Sequence, residues 1–399
     1  METTNNNILA INGGSSSIKF ALFQAGESLK ELFHGQLEGI GRKNSEISFT
    51  NDVTSKKFST NTVLKNHKAA TDFLISWLEK EDGFDCVHAI GHRIVYGKNY
   101  TEPAEISTDL MNELSDISIY DPEHLPGELY IIETFRKKFP AMKQIACFDT
   151  SFHACMPPVA KMIAIPRRYY DVGIHRYGFH GLSYAYLMDE IKRTADHKTA
   201  HGKIILAHLG NGASIAAVKD GKSMDTSMGF TPTSGLPMST RTGDIDPGVA
   251  LYLMKTETLD PKQFNDIINH QSGLLGVSGT SSDMRDLLKC ESTDNRAAQA
   301  IDLFCYQTKK WIGSFAAALG GLDILVFSGG IGENAPEVRA RICSNLEFLG
   351  IELDDEKNLN NEPVISKHKS KIPVFVMKTN EELMIAKLVC QFMHYNIKN

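Results

Sequence analysis

ILAINGGSSSIKFA, residues 8–21, reads as a strand, a glycine-bearing turn and a second strand, and ILAHLGNGASIAAV, residues 205–218, repeats that reading in the other half of the chain. Laid over one another without gaps, the two agree at six of fourteen positions: Ile, Leu, Ala, Gly, Ser and Ile. The agreement has two readings, an internal duplication or the ordinary look of an apolar strand, Gly turn, apolar strand unit. A second echo pairs QIACFDT (144–150) with DILVFSG (323–329), each an apolar run that reads as a buried strand ending in a turn. Together they predict an α/β chain in two similarly built halves meeting after Asp149, with phosphate-seeking turns at strand ends.

Working outward, EISFTNDVTSKKFST (46–60) alternates around Asn51-Asp52 as a hairpin does. Trp311 to Gly332 is the most apolar stretch, but Asp323 and the Gly320-Gly321 break make it helix, turn and buried strand, not a membrane span. The polar stretch 354–372 reads as a solvated loop. Thr379 and Glu382, at capping-box spacing, open an apolar-periodic run to Met393, which predicts a C-terminal helix. METTNNN lacks the basic and apolar regions of a signal peptide.

At 399 residues the chain has room for two or three domains of roughly 150 residues each. Lys plus Arg number 42 against 48 Asp plus Glu, a net charge of −6 with no basic block, so nothing here points to nucleic acid or an anionic membrane. With 23% charged and 42% hydrophobic residues the composition is that of a globular protein. The seven cysteines (86, 147, 155, 290, 305, 343, 390) are scattered without a CxxC pair, which predicts a reduced, cytoplasmic protein with neither a disulfide framework nor a zinc site.

Four segments carry chemistry. GGSSSIK (13–19) offers tight backbone, the hydroxyls of Ser15 and Ser17 and the charge of Lys19, an inventory suited to phosphate, although no Gly precedes Lys19 as a Walker A loop requires. The alternative is a serine-rich hairpin turn with a surface lysine. HLGNGAS (208–214) leads to a long run of small and hydroxyl residues, 224–248, around Arg241. That arginine is either a clamp on a transferring phosphoryl group or half of a salt bridge with Asp244 or Asp246. SGGIGENAPEVRARI (328–342) joins a strand to a helix with Asn334 near the cap and Pro336 in the first turn. Gly330, Gly332 and Ala335, with Glu352 further on, also match a dinucleotide-binding fingerprint, the reading of a NAD-dependent oxidoreductase. Finally, 167–181 gathers Arg167, Arg168, Arg176, three tyrosines, His175 and His180, donors for an anion or a solvated basic patch.

Taken in chain order, NGGSSSIKF, GHRIVYG, FDTSFHACMP, HRYGFHG, HLGNGASIAAVKDGKSMDTSMGFTP, TRTGDIDPG, GLLGVSGTSSDMRDL, FSGGIGEN and TNEELMIAK resemble the acetate kinase family nearly end to end. The resemblance implies an α/β fold of two duplicated ribonuclease-H-like (actin-like ATPase) domains around a central cleft, and a homodimer. It implies an acceptor-side domain of residues 1–150 plus about 382–399, and a nucleotide-binding and dimerisation domain of residues 151–381. It also implies reversible transfer of the ATP γ-phosphoryl group to acetate or propionate, giving ADP and an acyl phosphate. An actin-like nucleotide switch is the alternative from another class.

Carried over residue by residue, the resemblance puts ATP at His208, Leu209, Gly210, Asn211 and Gly212, at Asp283, Met284 and Arg285, and at Gly330, Ile331, Gly332, Glu333 and Asn334. Lys19 would touch nucleotide phosphate. Magnesium, or manganese, is associated with Asn12 and Glu381. Arg93 would hold the acceptor carboxylate, and Asp149, His180 and Arg241 the catalytic centre, with Asp149 organising a cation rather than removing a proton. Val95, His124, Phe179 and Pro232 would form the acyl pocket. Gly13, Lys98, Tyr184 and Ser239 depart from the family's usual residues, and DPEHLP (121–126) places Glu123 where a Leu commonly lines the acyl pocket.

Overall fold

The computed structural model describes residues 6–397 except 15, 43 and 195, so Ser15 lies outside the described residues. The chain divides into two compact units, Met1–Ser151 with Asn380–Asn399, and Phe152–Thr379.

Among the described residues, unit 1 is built on eight strands: β1 (Asn6–Gly13), β2 (Ser17–Ala25), β3 (Leu29–Glu38), β4 (Ser45–Asn51), β5 (Lys56–Thr62), β6 (Val87–Ile94), β7 (Ala104–Glu105) and β8 (Lys143–Phe148). Their order in the sheet is β5-β4-β3-β2-β1-β6-β8-β7. β1 to β5 run as an antiparallel meander, and β6 and β8 join it in parallel. The expected hairpin around Asn51-Asp52 is β4–β5. Helices α1 (His67–Leu78), α2 (Thr108–Asp116) and α3 (Leu125–Lys138) link the strands. Leu9, Ile11, Phe20 and Ile90 share one core with Leu74, Leu78, Ile131 and Phe135, which puts α1 and α3 on one sheet face.

Unit 2 opens with the short helices α4 (Pro158–Lys161) and α5 (Arg167–Asp171), then α6 (Gly181–Thr194) and α7 (His197–Ala200). Strands β9 (Lys203–Leu209), β10 (Ala213–Lys219) and β11 (Lys222–Thr226) form an antiparallel meander. Helices α8 (Pro247–Thr256), α9 (Pro261–His270), α10 (Gly273–Ser278), α11 (Met284–Cys290) and α12 (Asn295–Leu319) follow. The unit closes with β12 (Ile324–Ser328), α13 (Gly329–Asn334), α14 (Pro336–Cys343), α15 (Asp355–Leu359) and β13 (Val374–Val376). Sheet order is β11-β10-β9-β12-β13, with β12 parallel to both neighbours. Tyr184, Leu187 and Ile191 of α6 pack on Ile204, Leu206, Val218 and Val326, while α12 also lies against β9 and β10. As expected, residues 311–332 pass from helix through a glycine turn into a buried strand. No helix among the described residues is long and apolar enough to cross a membrane.

The two sheets share the pattern 3-2-1-4-5, with β3-β2-β1-β6-β8 in one and β11-β10-β9-β12-β13 in the other. The first echo is therefore a true correspondence, since 8–21 and 205–218 are both the central strand, its turn and the antiparallel neighbour. The second echo needs correction by one strand. QIACFDT is β8, the fifth position, whereas DILVFSG is β12, the fourth, whose counterpart is β6. Three antiparallel strands in the second sheet also rule out the all-parallel dinucleotide fold.

The last helix, α16 (Glu381–Phe392), packs against β1 and β6 of unit 1. Its N-cap is Asn380, whose side chain accepts from Leu383 N–H at 2.8 Å; Thr379, one residue earlier, does not cap it. α16 comes so close to β6 that a Cβ on Gly91 would lie 2.7 Å from Val389 Cγ2 and clash with Ile385 too. Gly91→Ala is expected to destabilise unit 1 by about 1–3 kcal/mol through overpacking, read as a lower urea midpoint. An unchanged midpoint contradicts this packing.

The stretch 354–372 is not simply a solvated loop. It contains α15, a bridge between Leu353 and Ser366, and buried Asn358, Ile365 and Ser366. The reason is Arg339, which is fully buried and needs acceptors. Its Nε donates to Asn358 Oδ1 at 2.8 Å, and its Nη2 to Asn358 O at 2.7 Å and Asn361 Oδ1 at 2.6 Å. Burial lowers its pKa to about 10. Its Nη1 donates to Gly332 O at 2.9 Å, pinning the turn after β12.

Candidate active site

In unit 1, the ends of β1, β6 and β8 and the start of α16 bring five charged or amide groups together. Arg93 donates from Nη2 to Asp149 Oδ2 at 2.7 Å and from Nη1 to Asn12 Oδ1 at 3.2 Å. Asn12 Nδ2 donates to Glu381 Oε2 at 2.8 Å and Glu382 Oε1 at 2.9 Å. Asp149 is wholly buried and the Arg93 side chain is 13% exposed. Burial opposes the guanidinium charge, but Asp149, Glu381 and Glu128 more than offset it, so the Arg93 pKa is raised. Lys19 stands across the β1–β2 ladder from Asn12 and is exposed; Ser17 accepts from Gly14 N–H through its carbonyl at 2.8 Å.

Beside them lies a residue the sequence reading passed over. Glu128, in the first turn of α3, is buried and accepts from the N–H of Val95 at 3.1 Å. Burial raises its pKa well above the usual 4.5; Arg93 and the Val95 N–H pull it down, and Asp121 and Asp149 push it up. His124 is buried with Nδ1 2.8 Å from Asp121 Oδ1. Glu123, by contrast, is half-buried. The buried acids here are thus Asp121 of the motif and Glu128 just beyond it, not Glu123.

The raised pKa sets a pH dependence. Folded Glu128 keeps its proton above pH 4.5 while the unfolded chain loses it, so this contribution to stability is full below pH 4.5 and fades as pH rises. Glu128→Gln, which cannot ionise, should gain in stability relative to the parent from pH 5 to pH 8, measured by urea unfolding at each pH. A difference that stays constant with pH excludes a raised pKa.

In unit 2, the turns after β9 and β12 meet. Gly329 has φ +77°, and a Cβ there would sit 2.7 Å from Leu209 O, so the backbone can approach only as glycine. A Cβ on Gly210 would lie 3.8 Å from Gly330 N, and Gly330 itself faces open space. Glu333 Oε1 accepts from Gly329 N–H at 2.9 Å. Asn334 ends α13 instead of capping α14, and donates to Gly330 O at 3.0 Å; Pro336 does begin α14. Ile331 is half-buried and Gly332 buried.

Two further side chains reach this turn. A Cβ on Gly212 would lie 3.1 Å from His180 Nε2 and 3.9 Å from Arg241 Nη1. The His180 and His208 rings are 4.4 Å apart, and His208 Nδ1 is 2.8 Å from Ser183 Oγ. The Arg241 loop is tied to the turn where Ser239 N–H donates to Asn211 O at 3.2 Å. Arg241 Nη1 donates to Pro232 O at 3.3 Å, while Asp244 accepts from Gly235 N–H and Asp246 caps α8. Phe179 is buried, its carbonyl 3.1 Å from His153 Nε2, and Pro232 is buried. Asp283 caps α11 and pairs with exposed Arg285 at 2.6 Å; Met284 is buried. The basic patch at 167–181 divides: Arg176 Nη1 donates to three carbonyls, of Thr226, Ser227 and Met228, whereas Arg167 and Arg168 lie over Tyr170 and Tyr169.

The model of the Acetokinase family matches residues 7–387. The chain belongs to the acetokinase family. An acetate kinase of Dictyoglomus thermophilum is 42% identical over 389 residues, 95% of this chain and 97% of its own length. An acetate kinase of Porphyromonas gingivalis superposes with a TM-score of 0.84 at 36% identity, covering 97% of this chain and 100% of its own. A propionate kinase of Francisella tularensis gives a TM-score of 0.87 at 36% identity, covering 96% and 98%. For this acetokinase the mixed α/β architecture with two sheets is that of the actin-like ATPase type, and the enzyme is a kinase with a carboxylate acceptor.

Proposed function

We propose that the protein transfers the γ-phosphoryl group of ATP directly and reversibly to acetate, giving acetyl phosphate and ADP. The observation that carries this reading is the state of the buried carboxyls in unit 1. Asp149 accepts from Arg93 Nη2 at 2.7 Å and Glu128 accepts from the Val95 N–H at 3.1 Å, so both are engaged within unit 1 rather than set out as free bases. A hydroxyl acceptor needs a base; a carboxylate is already ionised at neutral pH and needs only alignment and charge cancellation.

In this reading Arg93 pairs with the acceptor carboxylate, held in place by Asp149 and Asn12. Val95, His124, Phe179 and Pro232 bound a small apolar acyl group. The turns 208–212 and 330–334, Asp283 to Arg285 and Lys19 hold the nucleotide. His180 and Arg241, both donors at Gly212, stabilise charge on the equatorial oxygens of the transferring group. The carboxylates of Glu381 and Glu382 are the hard oxygen donors that suit Mg2+ or Mn2+ and would hold it beside Asn12, whose Nδ2 faces both carboxylates and whose Oδ1 accepts from Arg93. When bound, the cation neutralises phosphate charge.

Trapping with hydroxylamine tests the proposal. ATP and acetate should yield acetohydroxamate; no hydroxamate from acetate, propionate or butyrate overturns it. Propionate is the second reading, favoured by the propionate kinase among the similar structures. One methylene shifts kcat/KM by about 10 to 200-fold, so the ratio for the two acids decides.

A homodimer is part of the proposal. Helix α8, PGVALYLMKT, buries none of its residues, and Val249, Leu251 and Tyr252 are exposed, an apolar surface suited to a second copy. Sedimentation velocity should show a dimer; a monomer at micromolar concentration contradicts it. We also place the enzyme in the cytoplasm, supported by seven free thiols; recovery only from an oxidising compartment contradicts that.

A further inference from the structure

The ring of His180 is held from behind by two hydroxyls. His180 sits at φ +60°, its carbonyl accepting from Tyr184 N–H at 3.0 Å. Its Nδ1 is 2.9 Å from Ser214 Oγ, and Ser214 Oγ is in turn hydrogen-bonded to the Tyr184 hydroxyl. Ser214 and Tyr184 are both fully buried. The other ring nitrogen, Nε2, faces Gly212 on the side where the Arg241 guanidinium arrives.

With a neutral ring, two proton arrangements run through this chain in one direction. In the first, Tyr184 donates to Ser214, Ser214 donates to Nδ1, and the ring proton is on Nε2. In the second, Nδ1–H donates to Ser214, Ser214 donates to Tyr184, and Nε2 is a bare lone pair. A phenol is a more acidic donor than an aliphatic hydroxyl and a poorer acceptor, and an imidazole nitrogen is the better acceptor of the two ends. The first arrangement therefore puts each proton on its better side. It also suits the turn, because phosphoryl oxygens only accept hydrogen bonds, and a bare Nε2 would repel them.

We infer that Tyr184 and Ser214 form a buried hydroxyl relay that fixes neutral His180 in the Nε2–H tautomer, presenting an N–H donor beside Arg241. Both are positioning residues acting through His180. The catalytic consequence rests on the phosphoryl-transfer reading; the tautomer does not.

The experiment uses full-length enzyme labelled with [15N]histidine, with His180→Gln serving only to assign the signal. Wild type should show a protonated Nε2 and a bare Nδ1 at His180. Ser214→Ala should move that signal towards a tautomer mixture, and Ser214→Thr, which keeps a hydroxyl, should restore it. In turnover, Ser214→Ala is expected to lower kcat about 10 to 100-fold with KM for both substrates little changed. Tyr184→Phe keeps the ring against Phe152 and His153 and should lower kcat roughly 3 to 10-fold. Adding it to Ser214→Ala should cost nothing more, because Tyr184 acts through Ser214. A bare Nε2 or a doubly protonated ring in wild type overturns the relay, as do an unmoved signal in Ser214→Ala or additive losses in the double variant. The wild-type spectrum decides even if a variant fails to fold. A correct tautomer in an enzyme that makes no acyl phosphate would sink the functional reading alone.

Discussion

Arg93→Ala should lower kcat/KM for acetate by roughly 10² to 10³-fold while leaving ATP binding intact, the range expected when one partner of a buried charge pair is removed. The same change should cost about 3–5 kcal/mol of stability, because Asp149 is wholly buried and would lose the guanidinium it is paired with. Two measurements separate these effects: calorimetric titration with ATP analogue at a temperature where the variant is folded, and acetate saturation kinetics. Arg93→Lys restores a charge next to Asp149 but not the planar fork, so it should recover most of the stability and little of the acetate affinity. Equal losses for ATP and acetate would show that Arg93 has no special relation to the acceptor.

Arg241→Ala is expected to lose roughly 10³ to 10⁵-fold in kcat, the range for a guanidinium that cancels charge on a transferring phosphoryl group. Its Nη1 donates to Pro232 O at 3.3 Å and lies 3.9 Å from where a Cβ on Gly212 would sit, beside His180 Nε2. A kcat within tenfold of the parent contradicts the assignment.

How far the sequence could be read depends on how local each signal is. The β1–β2 and β9–β10 hairpins were legible because a strand, a glycine turn and a strand are complete within fourteen residues. The order of buried parallel strands was not. β6, β8 and β12 are all short apolar runs, and only the crossovers between them set which one is fourth and which fifth in the sheet. The ordered part of 354–372 was hidden for a related reason, since its structure is imposed by Arg339 from a distant helix.

Glu128 did carry a signal. Leu125, Glu128, Ile131, Ile132 and Phe135 form the buried stripe of α3, so an acid occupies a core position of an amphipathic helix. Periodicity alone marks it, two residues beyond DPEHLP. Tyr184 lies likewise in the buried stripe of α6, and Ser214 in the buried run of β10. A polar residue at a core position must find a partner, and here both find each other and His180.

The central claim is that an acetate oxygen attacks the γ-phosphorus of ATP. Incubating the enzyme with ATP, Mg2+ and [18O]acetate and following 31P NMR reads that bond directly. An acetyl phosphate resonance shifted by 18O in the bridging position is the expected result. ATP consumption that yields only unlabelled inorganic phosphate, or no acetyl phosphate resonance at all, would contradict it.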